Sequence, residues 1–374
     1  MLALCWTLIA LSLLWVGFSY VGYPIILALL ARFSPRPVAR ADITPSLSIV
    51  IAVHNGAHAL QHKLESTLAL DYAGELEIIV ASDGSTDATH RIAESFAARG
   101  VKLVALDARR GKEAAQAAAI TKAQGEILVF TDLTAKLERG ALAAIVRPFS
   151  DPTVGCVSSE DRVDSDGGEG AYVRFEMALR RLENEASSLV GLSGSFFAVR
   201  REFGTPWPID LASDFRSALE AARRGRRAVS EPTARARFKA MEDPAREWHR
   251  KVRTVRRGLA VLSAYREILH PRHGRVAFSL WGHKVARFSS PFALILIAVA
   301  SAAAAPLSSS AAGFLGLQLA AYSIGGASLV SPRVARFTPA RLAGFFMLVN
   351  ASMLVAWLHH WRGKRAVVWE PTKR

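Results

Sequence analysis

The feature that most constrains this chain is its N-terminal run, residues 2–31, which contains no charged side chain. At about 1.5 Å per residue, a helix of this length is roughly 45 Å long, more than the roughly 30 Å hydrocarbon core of a bilayer. A cleaved signal peptide has a basic stretch before a shorter apolar segment, and nothing basic precedes this run. The sequence therefore predicts a membrane anchor over 1–31. Arg32, Arg36 and Arg40 follow it, and this positive flank predicts that residues from 40 onward face the cytoplasm.

Three further apolar stretches lie in the C-terminal membrane region predicted over 291–360, at about 291–306, 311–330 and 342–358. Arg333 and Arg336 lie between the second and third stretches, and the tail is also basic, so both are expected in the cytoplasm. Three crossings from a cytoplasmic domain cannot satisfy both expectations. Either one stretch is interfacial or re-entrant, or the basic tail lies outside the cytoplasm, against the rule that basic flanks face the cytoplasm.

Residues 271–290 precede these stretches and mix aromatic with basic side chains. This composition predicts an amphipathic helix in the membrane interface. An ordinary surface helix is the alternative.

The formal net charge of the chain is +15. Nucleic-acid-binding proteins often carry such a charge. Here the basic residues lie largely beside apolar segments, where anionic lipid accounts for them. Fourteen of them lie within 216–257, and we expect most of that run to be a solvated face near anionic lipid. We therefore expect membrane lipid, and no nucleic acid, as a partner. The two cysteines, Cys5 and Cys156, indicate neither a disulfide framework nor a zinc site.

Between the apolar ends, strand and helix patterns alternate. The run LSIVIAV at 47–53 is typical of a parallel strand buried on both faces. Further strands are predicted at 77–81, 102–106 and 126–131, and helices through Leu60, Leu64 and Leu68, over 87–98 and over 113–123. This order predicts an α/β domain over 45–260 with a Rossmann-like, mostly parallel sheet.

Polar residues follow each of these strands, at the edge where ligands bind in such sheets. They are His54-Asn55-Gly56, Ser82-Asp83-Gly84, Gly111-Lys112 and Asp132. Each segment alone could be only a turn or a helix cap. Together they bring two carboxylates, Asp83 and Asp132, and Lys112 to one edge. This combination suits a nucleoside diphosphate with a divalent cation.

Two other classes of nucleotide-binding protein are disfavoured by the glycine pattern. No Gly-x-Gly-x-x-Gly follows any predicted strand, which argues against a dinucleotide-dependent oxidoreductase. Arg110-Gly111-Lys112 lacks the earlier glycine and the following Ser or Thr of a phosphate-binding P-loop, which argues against an NTPase.

The ordered segments SIVIAVHNG (48–56), SDGSTD (82–87), GK (111–112) and FTDLT (130–134) resemble the family 2 glycosyltransferases with a GT-A fold. GLSGSFFAVR (191–200) is similar to the segment beneath their sugar and acceptor site. ASDF (212–215) resembles their catalytic-base motif, and EWHRKVR (247–253) their diphosphate-closing motif. WEPTKR (369–374) is similar to tails of the membrane-bound branch, which includes hyaluronan, chitin, cellulose and poly-N-acetylglucosamine synthases.

The resemblance implies a role for each matching position. The nucleotide-sugar site would comprise Ala52, His54, Asn55, Asp83, Lys112, Arg250 and Arg253, and the sugar and acceptor site Gly194 and Ser195. Asp132 would ligate Mg²⁺ or Mn²⁺, and Asp214 would be the general base. The implied partners are a UDP- or GDP-sugar and a saccharide or lipid-linked acceptor. The implied location is a bacterial inner membrane, with the catalytic domain in the cytoplasm.

The chain departs from the family pattern at several positions. Where the family usually has Asp-x-Asp, this chain has Asp132-Leu133-Thr134. Gly56 replaces a glutamate, and Ser213 replaces an acidic residue. Gln116 replaces a frequent asparagine. Thr254 follows Arg253 where processive synthases have tryptophan, which weakens an assignment to polymer synthesis. A catalytically impaired member that serves as the membrane subunit or partner of an active synthase is therefore the alternative to an active enzyme.

Overall fold

The computed structural model describes residues 1–164, 168–239 and 244–363. The described strands are β1 Leu47–Val53, β2 Leu76–Asp83, β3 Val101–Leu106, β4 Ile127–Asp132, β5 Lys136–Leu137, β6 Val154–Asp164, β7 Phe196–Arg200 and β8 Arg227–Lys239. The described helices are α1 Leu2–Gly17, α2 Tyr23–Phe33, α3 Ala57–Leu68, α4 Thr89–Ser95, α5 Lys112–Ile120, α6 Ala141–Val146, α7 Gly168–Ala186, α8 Ser213–Arg223, α9 Pro244–Ala264, α10 Arg275–Leu280, α11 Ala286–Ala304, α12 Ser309–Val330, α13 Pro332–Ala335 and α14 Thr338–Trp361. The tail motif at 369–374 lies outside the described residues.

The strands form one mixed, mostly parallel sheet in the order β3-β2-β1-β4-β7-β6-β8-β5. The first four predicted strands pair in parallel, as their alternation with helices required. β7 then pairs antiparallel with both β4 and β6, and beyond it β6 and β8 pair in parallel. The predicted fold class is confirmed.

Two apolar layers cover the faces of this sheet. Every residue of β1 is buried, and its side chains alternate: Ile49 and Ile51 belong to one core cluster and Val50 to the other. This double burial explains why β1 reads as a continuous apolar run rather than an alternating one. The layers fix the carboxyl ends of β1, β2 and β4 side by side.

Four helical segments are long and apolar enough to cross a membrane: Leu2–Phe33, Arg275–Leu307, Ser309–Val330 and Thr338–Trp361. One is N-terminal and three are C-terminal, as predicted. The first contains a π-helical turn at Phe18–Gly22, and the second contains another at Trp281–Val285.

The structure differs from the expectation for residues 271–290. From Arg275 onward this segment is continuous with the apolar helix that follows. His283 and Arg287 are buried rather than turned toward an interface, and each contacts Glu176 of α7 at 2.7–2.8 Å. These basic side chains join the apolar helix to the α/β domain.

The basic run at 216–257 also differs from the solvated, lipid-facing surface that we expected for most of it. Arg216 is 1% exposed, donates to the carbonyl oxygens of Phe203 and Pro206, and lies over the ring of Trp207. Arg224 pairs with Glu220 at 2.6 Å. Charge alone does not show which face of a helix is turned inward, and these arginines are turned toward the protein.

Candidate active site

The carboxyl ends of β1 and β4 place Ala52 beside Asp132, which are partners in the strand register. Ala52 is buried, and the next residue of β1, Val53, pairs with Ser82 of β2. The predicted polar segments after β1, β2 and β4 therefore meet at one edge of the sheet.

His54 and Asn55 lie against the loop after β2. The His54 ring Nδ1 is 2.7 Å from the backbone carbonyl oxygen of Asp83, and Asn55 Oδ1 accepts a hydrogen bond from the Thr86 amide at 2.8 Å. Asn55 has a positive φ of 47°, a conformation that asparagine tolerates better than most residues. Hydrogen bonds thus join the two segments at this edge of the sheet.

Asp83, which the resemblance places in the nucleotide site, has contacts with the protein backbone. It is 0% exposed, and its carboxylate accepts hydrogen bonds from the amides of Arg110 at 2.6 Å and Gly111 at 2.9 Å. It therefore orders the turn that leads into α5 and Lys112. In this structure its oxygens are occupied by the backbone and do not face an open pocket.

Lys112 and Asp132 form an ion pair at the centre of this edge, with Nζ 2.6 Å from Oδ1. Burial opposes the charge on Lys112, but the carboxylates of Asp132, Glu113 and Asp214 together outweigh it and raise the pKa of the lysine. Lys112 is therefore a permanent cation at neutral pH. Its Nζ also lies 3.4 Å from the carbonyl oxygen of Gly194.

Gly194 connects this ion pair to Asp214. A Cβ atom at Gly194 would lie 2.9 Å from Asp214 Oδ2, so only glycine lets the carboxylate approach this closely. Asp214 itself lies in the first turn of α8, and its Oδ1 accepts a hydrogen bond from the Phe215 amide at 2.8 Å. The predicted base, cation and metal ligand are thus brought together at Gly194.

A carboxylate that sequence reasoning missed lies beside Ser195. Asp161, within β6, accepts hydrogen bonds from the hydroxyls of Ser193 at 2.5 Å and Ser195 at 2.6 Å. Burial raises the pKa of Asp161, although Arg180 and the two hydroxyls oppose the shift. Asp161 fixes the loop that carries Gly194 and Ser195.

Helix α9 covers the other side of the site. Arg257 pairs with Glu113, which is 3% exposed and follows Lys112 in α5. Glu113 Oε1 also accepts a hydrogen bond from the amide of Ser213 at 3.4 Å. Arg250 and Arg253 precede Arg257 by seven and four positions, which places all three on one face of α9. Because Arg257 on this face contacts Glu113, the face is turned toward the site.

The residues present suit a divalent cation that is shared with a phosphate ligand. Among the described residues there is no cluster of three or more His, Cys, Asp or Glu that could hold a metal ion alone. Asp132 supplies one carboxylate, and Thr134 has a hydroxyl two residues later. Mg²⁺ commonly binds one or two carboxylates together with substrate phosphates, and Asp132 fits that pattern.

Lys63 lies beneath Asp132 and gives the domain a pH-dependent stability. Its Nζ donates to Thr131 Oγ1 at 3.0 Å and to the Ala135 carbonyl at 2.7 Å. Burial lowers the pKa of Lys63 to about 7, with Asp132 opposing the shift. Between this value and the ordinary 10.5 the unfolded chain binds more protons than the folded chain, so stability rises with pH across that window.

We therefore expect Lys63→Met to flatten the rise in apparent melting temperature of the detergent-purified protein between about pH 7 and 10. Lys122→Met, at an exposed position, is the matched control and should keep the wild-type slope. Equal slopes for Lys63→Met and wild type would show that Lys63 is protonated in the folded protein throughout.

Comparison with known proteins gives the family of this domain. Residues 48–204 match the family model described as Glycosyl transferase family 2. The fold is similar to a mannosyltransferase from Pyrobaculum calidifontis, solved in complex with GDP-Man and Mn²⁺. The TM-score is 0.75 and the identity 26%, covering 96% of this chain and 100% of that one.

Two curated bacterial proteins are also similar over part of their length. An N-acetylglucosaminyltransferase of Azorhizobium caulinodans is 28% identical over 122 residues, 32% of this chain and 31% of that protein. The succinoglycan biosynthesis protein ExoO of Rhizobium meliloti is 27% identical over 170 residues, 45% of this chain and 48% of ExoO. The matches thus span half or less of these relatives. From the family match and the sheet topology, the chain contains a glycosyltransferase family 2 domain with the GT-A fold.

Proposed function

We propose that this chain is a membrane-bound inverting glycosyltransferase, with Asp214 as its general base. The proposal rests on the convergence at Gly194, where the Lys112–Asp132 pair and the Asp214 carboxylate meet. One glycine therefore lies beside a positive charge that suits a leaving diphosphate and a carboxylate that suits an attacking hydroxyl. An inverting transfer needs one carboxylate of this kind.

In the proposed reaction an acceptor hydroxyl attacks the anomeric carbon of the donor sugar. Asp214 takes the hydroxyl proton as the new bond between oxygen and carbon forms and the bond to the diphosphate breaks. Lys112 stabilises the negative charge that develops on the diphosphate. Arg250 and Arg253, on the face of α9 that carries Arg257, add positive charge from the other side.

A divalent cation bound by Asp132, with Thr134 and the diphosphate, would add further positive charge at the leaving group. The similar mannosyltransferase was solved with Mn²⁺, which supports a divalent cation without choosing between Mn²⁺ and Mg²⁺.

The proposed donor is a UDP- or GDP-sugar, and the proposed acceptor is a saccharide or a lipid-linked saccharide. The GDP-Man complex of the similar mannosyltransferase supports a nucleotide-sugar donor. The similarity to ExoO supports a place in cell-surface polysaccharide synthesis. The positive flank of the first apolar helix, Arg32, Arg36 and Arg40, supports a cytoplasmic catalytic domain at a bacterial inner membrane.

The test is to incubate the purified full chain with a panel of UDP- and GDP-sugars and measure release of the nucleoside diphosphate. We expect one donor to be consumed in a reaction that needs a divalent cation. Binding of a donor without turnover, even with added membrane saccharides as acceptors, would instead identify an impaired subunit. Neither binding nor turnover of any donor would overturn the proposal.

The presence of Thr134 in place of a second carboxylate predicts weak affinity for the metal. Affinity of oxygen-rich sites rises with the number of charged ligands. Thr134→Asp is therefore expected to lower the Mn²⁺ or Mg²⁺ concentration for half-maximal activity. Thr134→Asn adds a similar volume without the charge and should leave that concentration close to wild type. Activity that survives a chelator in the wild type would show that the metal assignment is wrong.

A further inference from the structure

The C-terminal helix α14 is long and apolar enough to cross a membrane, yet its contacts place both of its ends near the catalytic domain. The apolar helix of residues 275–307 provides the reference. Its first residues contact the catalytic domain through His283 and Arg287. Its far end, at Ile297–Ala304, packs with Cys5, Ile9 and Ala311. These two ends mark the near and far sides of the apolar region.

Helix α12 returns from the far side to the near side. It begins with Ala311 in the far cluster, and Gln318 donates to Ser301 at 2.8 Å. Near its other end, Gly325 and Ser328 are packed against Gly344 of α14. Phe346 lies 5.5 Å from the ring of Tyr20, which in turn lies 5.8 Å from the Arg287 guanidinium. The start of α14 is therefore at the near side.

The end of α14 is at the near side as well. Trp357 Nε1 donates to the carbonyl oxygen of Phe288 at 2.8 Å, and Trp361 lies 5.6 Å from the ring of Phe292. His360 Nε2 is 3.5 Å from Ser263 Oγ, at the end of α9. Fifteen residues of helix, from 346 to 361, advance roughly 22 Å. If α14 crossed the apolar region, Trp361 would lie beside the far cluster rather than beside Phe292.

Helix α14 instead runs alongside α9 in the same direction. Lys251 lies over Phe345, and His360 approaches Ser263 twelve residues further along α9. Between these points Val252, Val255 and Leu259 of α9 share a core cluster with α14 residues Val349, Met353 and Ala356. The opposite face of α9 carries Arg257, which is bound to Glu113 of the catalytic domain. A helix with this many basic residues cannot lie in hydrocarbon, so its neighbour α14 lies at the same shallow depth.

We propose that α14 lies flat in the lipid interface on the catalytic domain's side, so that the chain crosses the membrane three times and its basic tail stays on that side. The partner of this surface is anionic lipid. Ala351 and Leu358 are exposed on one face of α14 and would enter the interface. The basic residues at both ends of α14 would meet lipid headgroups; among the described residues they are Arg333, Arg336, Arg341 and Arg362. This arrangement also removes the conflict between three C-terminal crossings and a basic tail.

Sidedness is tested with single cysteines added to the full chain: Lys122→Cys in the catalytic domain, Ser308→Cys between α11 and α12, Arg336→Cys before α14 and Thr372→Cys in the tail. Intact and permeabilised cells are treated with a membrane-impermeant maleimide. The native cysteines are both buried, so the wild type measures background labelling.

We expect Arg336→Cys and Thr372→Cys to behave as Lys122→Cys does, and Ser308→Cys to behave oppositely. Thr372→Cys labelling together with Ser308→Cys would show that α14 crosses and would overturn the proposal. Arg336→Cys labelling together with Ser308→Cys would overturn it too, because α12 would not cross. The comparison is with Lys122→Cys, so the proposal survives even if the catalytic domain proves to face the other compartment.

Depth distinguishes a flat helix from one that crosses the membrane core. Bimane attached to Ala351→Cys or Leu358→Cys, which are exposed on the same face of α14, should be quenched equally by lipids that carry a quencher near the headgroup. Seven residues of a crossing helix would separate the two probes by roughly 10 Å. Strong quenching at one position and none at the other would contradict the flat arrangement.

Discussion

Asp214→Asn is expected to lower kcat by roughly 10²–10⁴-fold while leaving folding and donor binding intact. The asparagine side chain keeps an oxygen that can accept the hydrogen bond now made from the Phe215 amide. It cannot accept a proton from the acceptor. The helix α8 begins at Ser213 with Ala212 at its N-cap, so Asp214 is in the first turn and not at the cap position itself.

The competing account is that Asp214 only stabilises the start of α8. Loss of a cap costs about 0.5–2 kcal/mol and would leave turnover in the folded fraction unchanged. Measuring kcat, apparent melting temperature and donor affinity on the same preparation separates the two accounts. Asp71→Asn, at an exposed loop position, is the matched control for loss of one carboxylate. Near wild-type transfer by Asp214→Asn would make Asp214 structural and remove the proposed base.

Asp132→Asn is expected to lower kcat by about 10²-fold or more and to weaken activation by Mn²⁺ or Mg²⁺. Charge supplied by a metal at a leaving phosphate is worth several kcal/mol, and each 1.36 kcal/mol is tenfold in rate. Asp132 also holds Lys112 at 2.6 Å, so its loss removes the ion-pair partner of a buried cation. Both effects weaken stabilisation of the diphosphate.

A double-mutant cycle with Lys112→Met separates these two effects. If Asp132 only positions Lys112, the double variant should be no slower than the slower single variant, and the metal titration should not shift. If Asp132 holds the metal, Asp132→Asn should shift the metal titration in the presence and absence of Lys112. An unshifted titration in both backgrounds would remove Asp132 from the metal site.

The sheet and its functional edge could be predicted because their signals are local. β1 is buried on both faces and therefore reads as one apolar run, and the polar residues after β1, β2 and β4 converge because the strands are parallel. Gly56 stands where the family has a glutamate, and packing explains the glycine, because a side chain there would collide with Val53 and Leu133. That reason is visible only in three dimensions.

The inward side of each charged helix could not be predicted from composition. The nucleotide role of Asp83 stays a prediction, and the structure adds that its carboxylate accepts hydrogen bonds from the amides of Arg110 and Gly111. Arg257 was grouped with lipid-facing charges but binds the buried Glu113. The spacing of Arg250, Arg253 and Arg257 on one helical face was available in the sequence and would have indicated the site-facing side of α9.

Asp161 carried no comparable signal, because its partners Ser193 and Ser195 lie more than thirty residues away in the chain. Likewise, the hydropathy of α14 indicated a membrane helix but not its direction. Only its contacts with α9 and the start of α11 show where its end lies.

The anomeric configuration of the transferred sugar tests the single-base account most directly. Once a donor has been identified, NMR of the glycoside formed by the purified full chain gives the configuration of the new glycosidic bond. We predict that the configuration is inverted relative to the donor, because one carboxylate activates the acceptor for direct displacement of the diphosphate. A product with retained configuration would contradict the assignment of Asp214 as the base of a single displacement.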